Sequence, residues 1–266
     1  MSDERVAVVT VSYNTIELTA LLLWSLHCVS SEPPDEIVVV DNASTDGSLE
    51  LLREVASAGL VTLLSNATNR HHGPALNDAL AFITARADPP RLVWILDSDV
   101  VVARSDTLER LRAEASGAAV VGERMYDQWH DAHRFELYSF VFDPSQVWRP
   151  ELSAFDDSGD PAWELLRSVD DAGLRCHELA FAGDGYVVHR GRGTLDVVAA
   201  REEIDNPLYE WALDHREPHF GGVDGARERY VELLAEFRVD VPELTPQALV
   251  AACRRGVRSS DGRDPG

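Results

Sequence analysis

The chain has 266 residues and a formal net charge of −22, with 45% hydrophobic and 26% charged side chains. That length suits one large α/β domain with a full core, and the balance is that of an ordinary globular protein. The acidic field argues against nucleic acid or a polybasic membrane anchor as partner, and no apolar run reaches the ~20 residues needed to cross a bilayer.

Four nearly all-apolar runs, Val6–Val11, Ile37–Val40, Leu60–Leu64 and Leu92–Leu96, read as strands buried on both faces. Helical patterns lie between them. Ile16–Val29 has Asn14 as its expected cap with Glu17 three residues on, and Gly47–Ser57 can be capped by Asp46 or Thr45. A third helix is expected to begin at Pro74 and to bury Leu76, Leu80 and Ile83. Strands alternating with helices of this length predict βαβ units and a mostly parallel sheet, with ligands beyond the carboxyl ends of the strands.

After Asp99 the rhythm changes. A helix near Thr107–Ala115 and a strand at Ala118–Val121 lead into Met125–Trp148, which is rich in aromatics and has no clean period. Trp129, Phe135, Tyr138, Phe140 and Trp148 there suit either core or an acceptor surface, with core favoured. Further elements are expected at Ala162–Ala172 (helix), Leu174–Glu178 and Tyr186–Val188 (strands). Residues 201–255 read as a helical extension broken by prolines and glycines, and 256–266 as a disordered polar tail. The expected division is 1–125 and 126–200 as two halves of one domain, then the extension. Cys28, Cys176 and Cys253 form no CxxC pair, so a zinc site or disulfide framework is not expected. With no signal-peptide pattern in the polar Met1–Arg5, the expected setting is cytoplasmic.

Two carboxylates, Asp97 and Asp99, close the fourth strand. Spaced i, i+2 at a strand end, they can reach one point in the crevice and hold a hard divalent ion, Mg²⁺ or Mn²⁺. Asp41 ends the second strand, where an acid can accept hydrogen bonds from a base or ribose. The first turn, Thr10-Val-Ser12-Tyr13-Asn14, carries no GxGxxG, which disfavours a dinucleotide cofactor.

Four segments in order, Val8–Asn14, Val40–Ser48, Asn69–Asn77 and Leu96–Asp99, together resemble the family 2 glycosyltransferases, which have the GT-A (nucleotide-diphospho-sugar transferase) fold. The resemblance spans roughly residues 5–125, and implies that 1–125 is the nucleotide-sugar-binding half and 126–200 the acceptor and catalytic half of the same domain. It implies a metal-dependent, inverting transfer of a sugar from a nucleoside-diphosphate sugar to an acceptor hydroxyl. It assigns Thr10, Ser12 and Asp41 to the base and ribose, Asp97 to the ribose side and Asp99 to the metal. The segment holding Asn69, Arg70 and Asn77 would close over the nucleotide, Arg70 meeting a phosphate, while His71 and His72 would face solvent or the acceptor. Beyond residue 125 the likeness loosens. His189, followed by Arg190-Gly191-Arg192-Gly193, stands where the family carries a metal- or diphosphate-contacting histidine. The family's carboxylate base precedes a helix; Asp160 is the first choice here, Asp157 the second and Glu164 the third. The acceptor class (small molecule, saccharide or lipid-linked) and a homodimer through the helical extension stay open. So do the alternatives of a nucleotidyltransferase on a related fold and an inactive nucleotide-binding homologue.

Overall fold

A computed structural model describes residues 5–127, 132–157, 161–191, 193–194, 220 and 224–260. The strands are β1 (Val6–Ser12), β2 (Glu36–Asp41), β3 (Thr62–Ser65), β4 (Leu92–Leu96), β5 (Val100–Val102), β6 (Val120–Asp127), β7 (Ala132–Phe142), β8 (Cys176–Glu178) and β9 (Val187–His189). The helices are α1 (Ile16–Cys28), α2 (Ser48–Ser57), α3 (His72–Thr84), α4 (Thr107–Glu114), α5 (Pro144–Val147), α6 (Trp163–Asp171), α7 (Ala226–Asp240) and α8 (Pro246–Ser260).

A seven-stranded sheet runs β3-β2-β1-β4-β7-β6-β8, and β5 pairs with β9 in a separate two-stranded sheet. β1 to β4 are mutually parallel; β7 lies antiparallel to β4 and starts the second half of the sheet. Alternate residues of each strand feed two cores. Val6, Val8, Ile37, Val39 and Trp94 face α1, α2, α7 and α8, while Ala7, Val9, Val38, Val40 and Ile95 face α3 and α6. Burial on both faces is why these strands carry no polar alternation. Since β2 and β4 flank β1 on opposite sides, the crevice opens beyond the carboxyl ends of all three.

Several expected boundaries move for local reasons. α2 ends on Gly59 in the left-handed region (φ 77°), and Leu60 donates its N–H back to Val55, so β3 starts at Thr62 rather than Leu60. α3 begins two residues earlier than Pro74. Asn14 does not cap α1: its Oδ1 accepts the N–H of Thr45 at 2.7 Å. The cap comes from Asp46, whose Oδ2 accepts the N–H of Ile16 and whose Oδ1 accepts the N–H of Ser48, both at 3.0 Å. One carboxylate thus serves the first turns of two helices, which ties β1–α1 to β2–α2. The aperiodic aromatic segment is a long hairpin, β6 with β7, whose register shifts between Gly122 and Arg124. Phe135, Tyr138 and Phe140 are buried in it, Trp148 is half-buried, and Trp129 lies outside the described residues.

The tail expected from Gly256 is helical through Ser260. A Cβ at Gly256 would fall on the carbonyl oxygen of His27, so the missing side chain is what lets α8 lie against α1. Gly256→Val should therefore cost roughly 1–3 kcal/mol of stability, read as a lower thermal midpoint with an unchanged fold by circular dichroism. His27 itself is buried, and burial pushes it from 6.5 down to about 4. The unfolded chain then takes up this proton first as pH falls. Stability that is fully present above about pH 6.5 should be lost towards pH 4, by about 3 kcal/mol. Urea unfolding across that window should show this slope, and His27→Leu should flatten it.

Candidate active site

β4 ends at Leu96, and the chain turns at once: Asp97 gives its N–H to the carbonyl of Tyr138 at 3.0 Å, and Val100 returns its N–H to Asp97 at 3.1 Å. The turn sends Asp97 and Asp99 into the crevice. β5 then pairs with β9, setting Val100 opposite His189. His189 Nε2 lies 3.3 Å from Asp99 Oδ1, and Gly193 donates its N–H to Asp99 Oδ2 at 2.9 Å. One ligand atom each from Asp97, Asp99 and His189 falls within 4.8 Å of the others.

The electrostatics suit a cation. Burial works against the charge on Asp99, but His189 beside it and the Gly193 N–H outweigh this and hold its pKa below the carboxylate range. Burial would likewise push His189 down, yet Asp99 holds it above the ordinary histidine value. Asp97 goes the other way: burial, with Asp99 adding to it, raises its pKa. Its Oδ1 is buried without a hydrogen-bond partner among the described residues. A divalent cation would relieve that cost, and one imidazole with two carboxylates is a donor set that Mn²⁺ or Mg²⁺ accepts.

Buried hydroxyls brace the turn from behind. Ser12 Oγ sits 3.0 Å from Thr19 Oγ1, Thr19 is 3.1 Å from Thr15, and Thr15 donates to Ser98 Oγ at 3.2 Å. Ser12 is fully buried in this cluster, so its side chain ties β1 and α1 to the residue between the two acids.

Asp41 ends β2, and Thr10 lies near the end of the adjacent β1. Both are fully buried, yet Asp41 Oδ1 and Thr10 Oγ1 have no partner among the described residues. Asp41 Oδ2 accepts the N–H of Ser44 at 3.2 Å. Buried polar atoms left unpaired are costly, and a ligand hydroxyl or amide would satisfy them. Asn42, which reads as a plain turn residue in the sequence, organises the wall beside them. Its Oδ1 accepts from Asn66 Nδ2 and from the Arg70 N–H, and its Nδ2 donates to Asn69 Oδ1 and to the His71 carbonyl. Asn69 is thereby a loop fastener. Arg70 pairs with Asp78, and Asn77 spends its amide on the backbone of Phe155.

That last bond brings the 155–157 segment onto α3. A Cβ at Gly73 would fall on the carbonyl oxygen of Asp156, so only glycine permits the approach. Asp157 thus comes to the rim, 3.4 Å from His71 Nδ1. His72, expected to face solvent or the acceptor, points to the paired acids: its Nε2 is buried, 3.5 Å from Asp97 Oδ1. Glu164 lies on the first turn of α6 and pairs with Arg167 at 3.6 Å. Asp160 and Arg192 fall outside the described residues.

A mostly parallel α/β sheet with paired acids at the end of its fourth strand, and a returning antiparallel half, is the architecture of the GT-A fold. The family model described as glycosyl transferase family 2 matches residues 7–171, and the chain belongs to that family. It is 27% identical over 234 residues to an undecaprenyl-phosphate 4-deoxy-4-formamido-L-arabinose transferase of Edwardsiella ictaluri (strain 93-146). That match takes in 83% of this chain and 66% of the relative, so the chain spans just under two thirds of the relative's length. Among solved structures it resembles the mannosyltransferase PcManGT from Pyrobaculum calidifontis in complex with GDP-Man and Mn²⁺ (TM-score 0.53, 18% identity, 98% of this chain and 76% of that one). It also resembles S. aureus TarS 1-349 (TM-score 0.53, 16% identity, 98% and 93%). A third likeness is to glucosyl-3-phosphoglycerate synthase from Mycobacterium tuberculosis in complex with Mn²⁺, UDP and glucosyl-3-phosphoglycerate (TM-score 0.52, 17% identity, 77% and 82%). His189 lies beyond the matched family region.

The docking of residues 155–157 on α3 is directly testable. Gly73→Ala should release this segment, giving faster limited proteolysis near residues 155–162 and at least a tenfold fall in transfer, on the order of 1.4 kcal/mol. An unchanged cleavage pattern would show that the contact is not what holds the segment.

Proposed function

We propose that the chain transfers a sugar from a nucleoside-diphosphate sugar to an acceptor hydroxyl, with a divalent cation held by Asp97, Asp99 and His189 and with inversion at the anomeric carbon. The observation that carries the reading is the convergence of those three side chains at the same sheet edge where Asp41 Oδ1 and Thr10 Oγ1 are buried and unpaired among the described residues. The Mn²⁺ complexes with GDP-Man and with UDP among the structural neighbours lend it support.

In this reading Asp41 and Thr10 accept and donate to the nucleoside, and the Asn69–Asn77 segment closes the wall over it. Arg70 reaches a phosphate by exchanging Asp78 for it. Ser12 acts from behind, through Thr15 and Ser98. The bound Mn²⁺ or Mg²⁺ would neutralise charge on the departing diphosphate, Lewis-acid assistance worth several kcal/mol. A carboxylate of the 157–160 segment, Asp160 or Asp157, takes the proton from the acceptor hydroxyl as it attacks from the face opposite the diphosphate. Asp157 is the one the described residues set at the rim, next to His71.

Titration calorimetry with UDP, GDP and dTDP, with and without Mn²⁺, tests the scheme. One diphosphate should bind only with the metal present, and Asp99→Ala should abolish both that binding and transfer. Binding that ignores Mn²⁺, or an Asp99→Ala enzyme working at the parent rate, would overturn it. Preference for a triphosphate over every diphosphate would point to nucleotidyl transfer instead.

A further inference from the structure

We propose that Tyr138 and Glu123 are positioning residues for the cation site: Tyr138 sets the plane of the His189 imidazole, and Glu123 holds Tyr138 and the turn that leads into β9. The inference rests on the cation reading above.

Tyr138 touches both parts of the ligand set. Its carbonyl accepts the Asp97 N–H at 3.0 Å, while its ring lies on the His189 imidazole with centroids 4.4 Å apart and planes 14° from parallel. Asp97 follows the main sheet and His189 ends the small one, so a single buried residue registers the two against each other. A metal-binding histidine must present a nitrogen, not a carbon, along the ligand direction, so the ring plane has to be fixed by a neighbour. Among the described residues the imidazole hydrogen-bonds only to Asp99, and the stacked phenol is the contact that fixes its plane.

Tyr138 is fastened in turn. Its hydroxyl donates to Glu123 Oε2, and the same oxygen accepts the N–H of Ala182 at 3.0 Å. Phe181, next to Ala182, accepts the N–H groups of Tyr186 and Val187, so Glu123 also anchors the approach to His189. Glu123 sits where the β6–β7 register shifts, between Gly122 and Arg124. Such a bulge re-aims one side chain, here a carboxylate turned towards the site. If packing were the only demand, phenylalanine at 138 and an apolar residue at 123 would serve. A part-buried carboxylate is costly to keep unless each bond it makes is needed.

The test uses the full chain stripped of metal, with Mn²⁺ affinity read by electron paramagnetic resonance of the free ion and thermal unfolding measured in parallel in EDTA. Tyr138→Leu removes the stack and should weaken Mn²⁺ binding by about tenfold or more. Tyr138→Phe keeps the stack but loses the hydroxyl bond, and with Glu123→Gln should show a smaller loss. If Tyr138→Leu does not fold, Tyr138→Phe and Glu123→Gln decide. Parent-like Mn²⁺ affinity in every folded variant overturns the inference while leaving the cation reading intact. A parent chain that takes up no Mn²⁺ overturns both.

Discussion

The negative charge of Asp99 is the constraint around which the active site is organised. It is carried on a side chain almost wholly withdrawn from water and claimed by two partners, the His189 imidazole and the Gly193 N–H. A buried carboxylate is tolerable only with such company. Its partners come from the far side of the small β5–β9 sheet, so the charge cannot be accommodated until chain segments some ninety residues apart have met. The fit leaves no slack. A Cβ on Gly193 would stand 2.9 Å from Asp99 Cβ and would collide with Leu18, so the glycine's missing side chain is part of the electrostatics.

The same economy of space recurs. Gly73 admits the Asp156 carbonyl to α3, and Gly256 admits α8 to the His27 carbonyl. Each close approach joins an element of the first 125 residues to something much later in the chain. The parallel strands supply a rigid edge, and these contacts decide what is gathered along it. α7 and α8 take part although they lie outside the matched family region: Trp24 donates its indole N–H to Asp240 at 2.9 Å, and Arg229 bonds the Ala103 carbonyl just past β5.

Much of this was legible in the sequence, for identifiable reasons. Strands buried on both faces advertise themselves as apolar runs, so β1, β2 and β4 stood out, and the acids that end β2 and β4 were marked by position alone. What stayed hidden depends on partners remote in sequence. Asp46 caps α1 from another loop, a role no local pattern encodes, whereas Asn14 looked like the cap because it sits in the right place. The hairpin of β6 and β7 showed no period because its bulge breaks the alternation, and Tyr138 was then one aromatic among several. Gly256 signalled a helix end by its propensity, and the contact with His27 reverses that meaning. His72 could not be placed because its neighbour, Asp97, arrives from a strand twenty-five residues on.

The position of α8 bears on how the polypeptide becomes a protein during synthesis. α1 is apolar around most of its circumference, with one side on the sheet and another beneath α7 and α8. β1 and α1 leave the ribosome well before α7 and α8, their outer cover. Until α7 and α8 emerge, Leu22, Leu23, Leu26 and Trp24 belong to a layer with no roof, and a nascent chain in that state is prone to sticking to its neighbours. Closure over α1 must then wait for α7 and α8, so vectorial synthesis leaves its outer face bare for an interval in which a holding chaperone would bind.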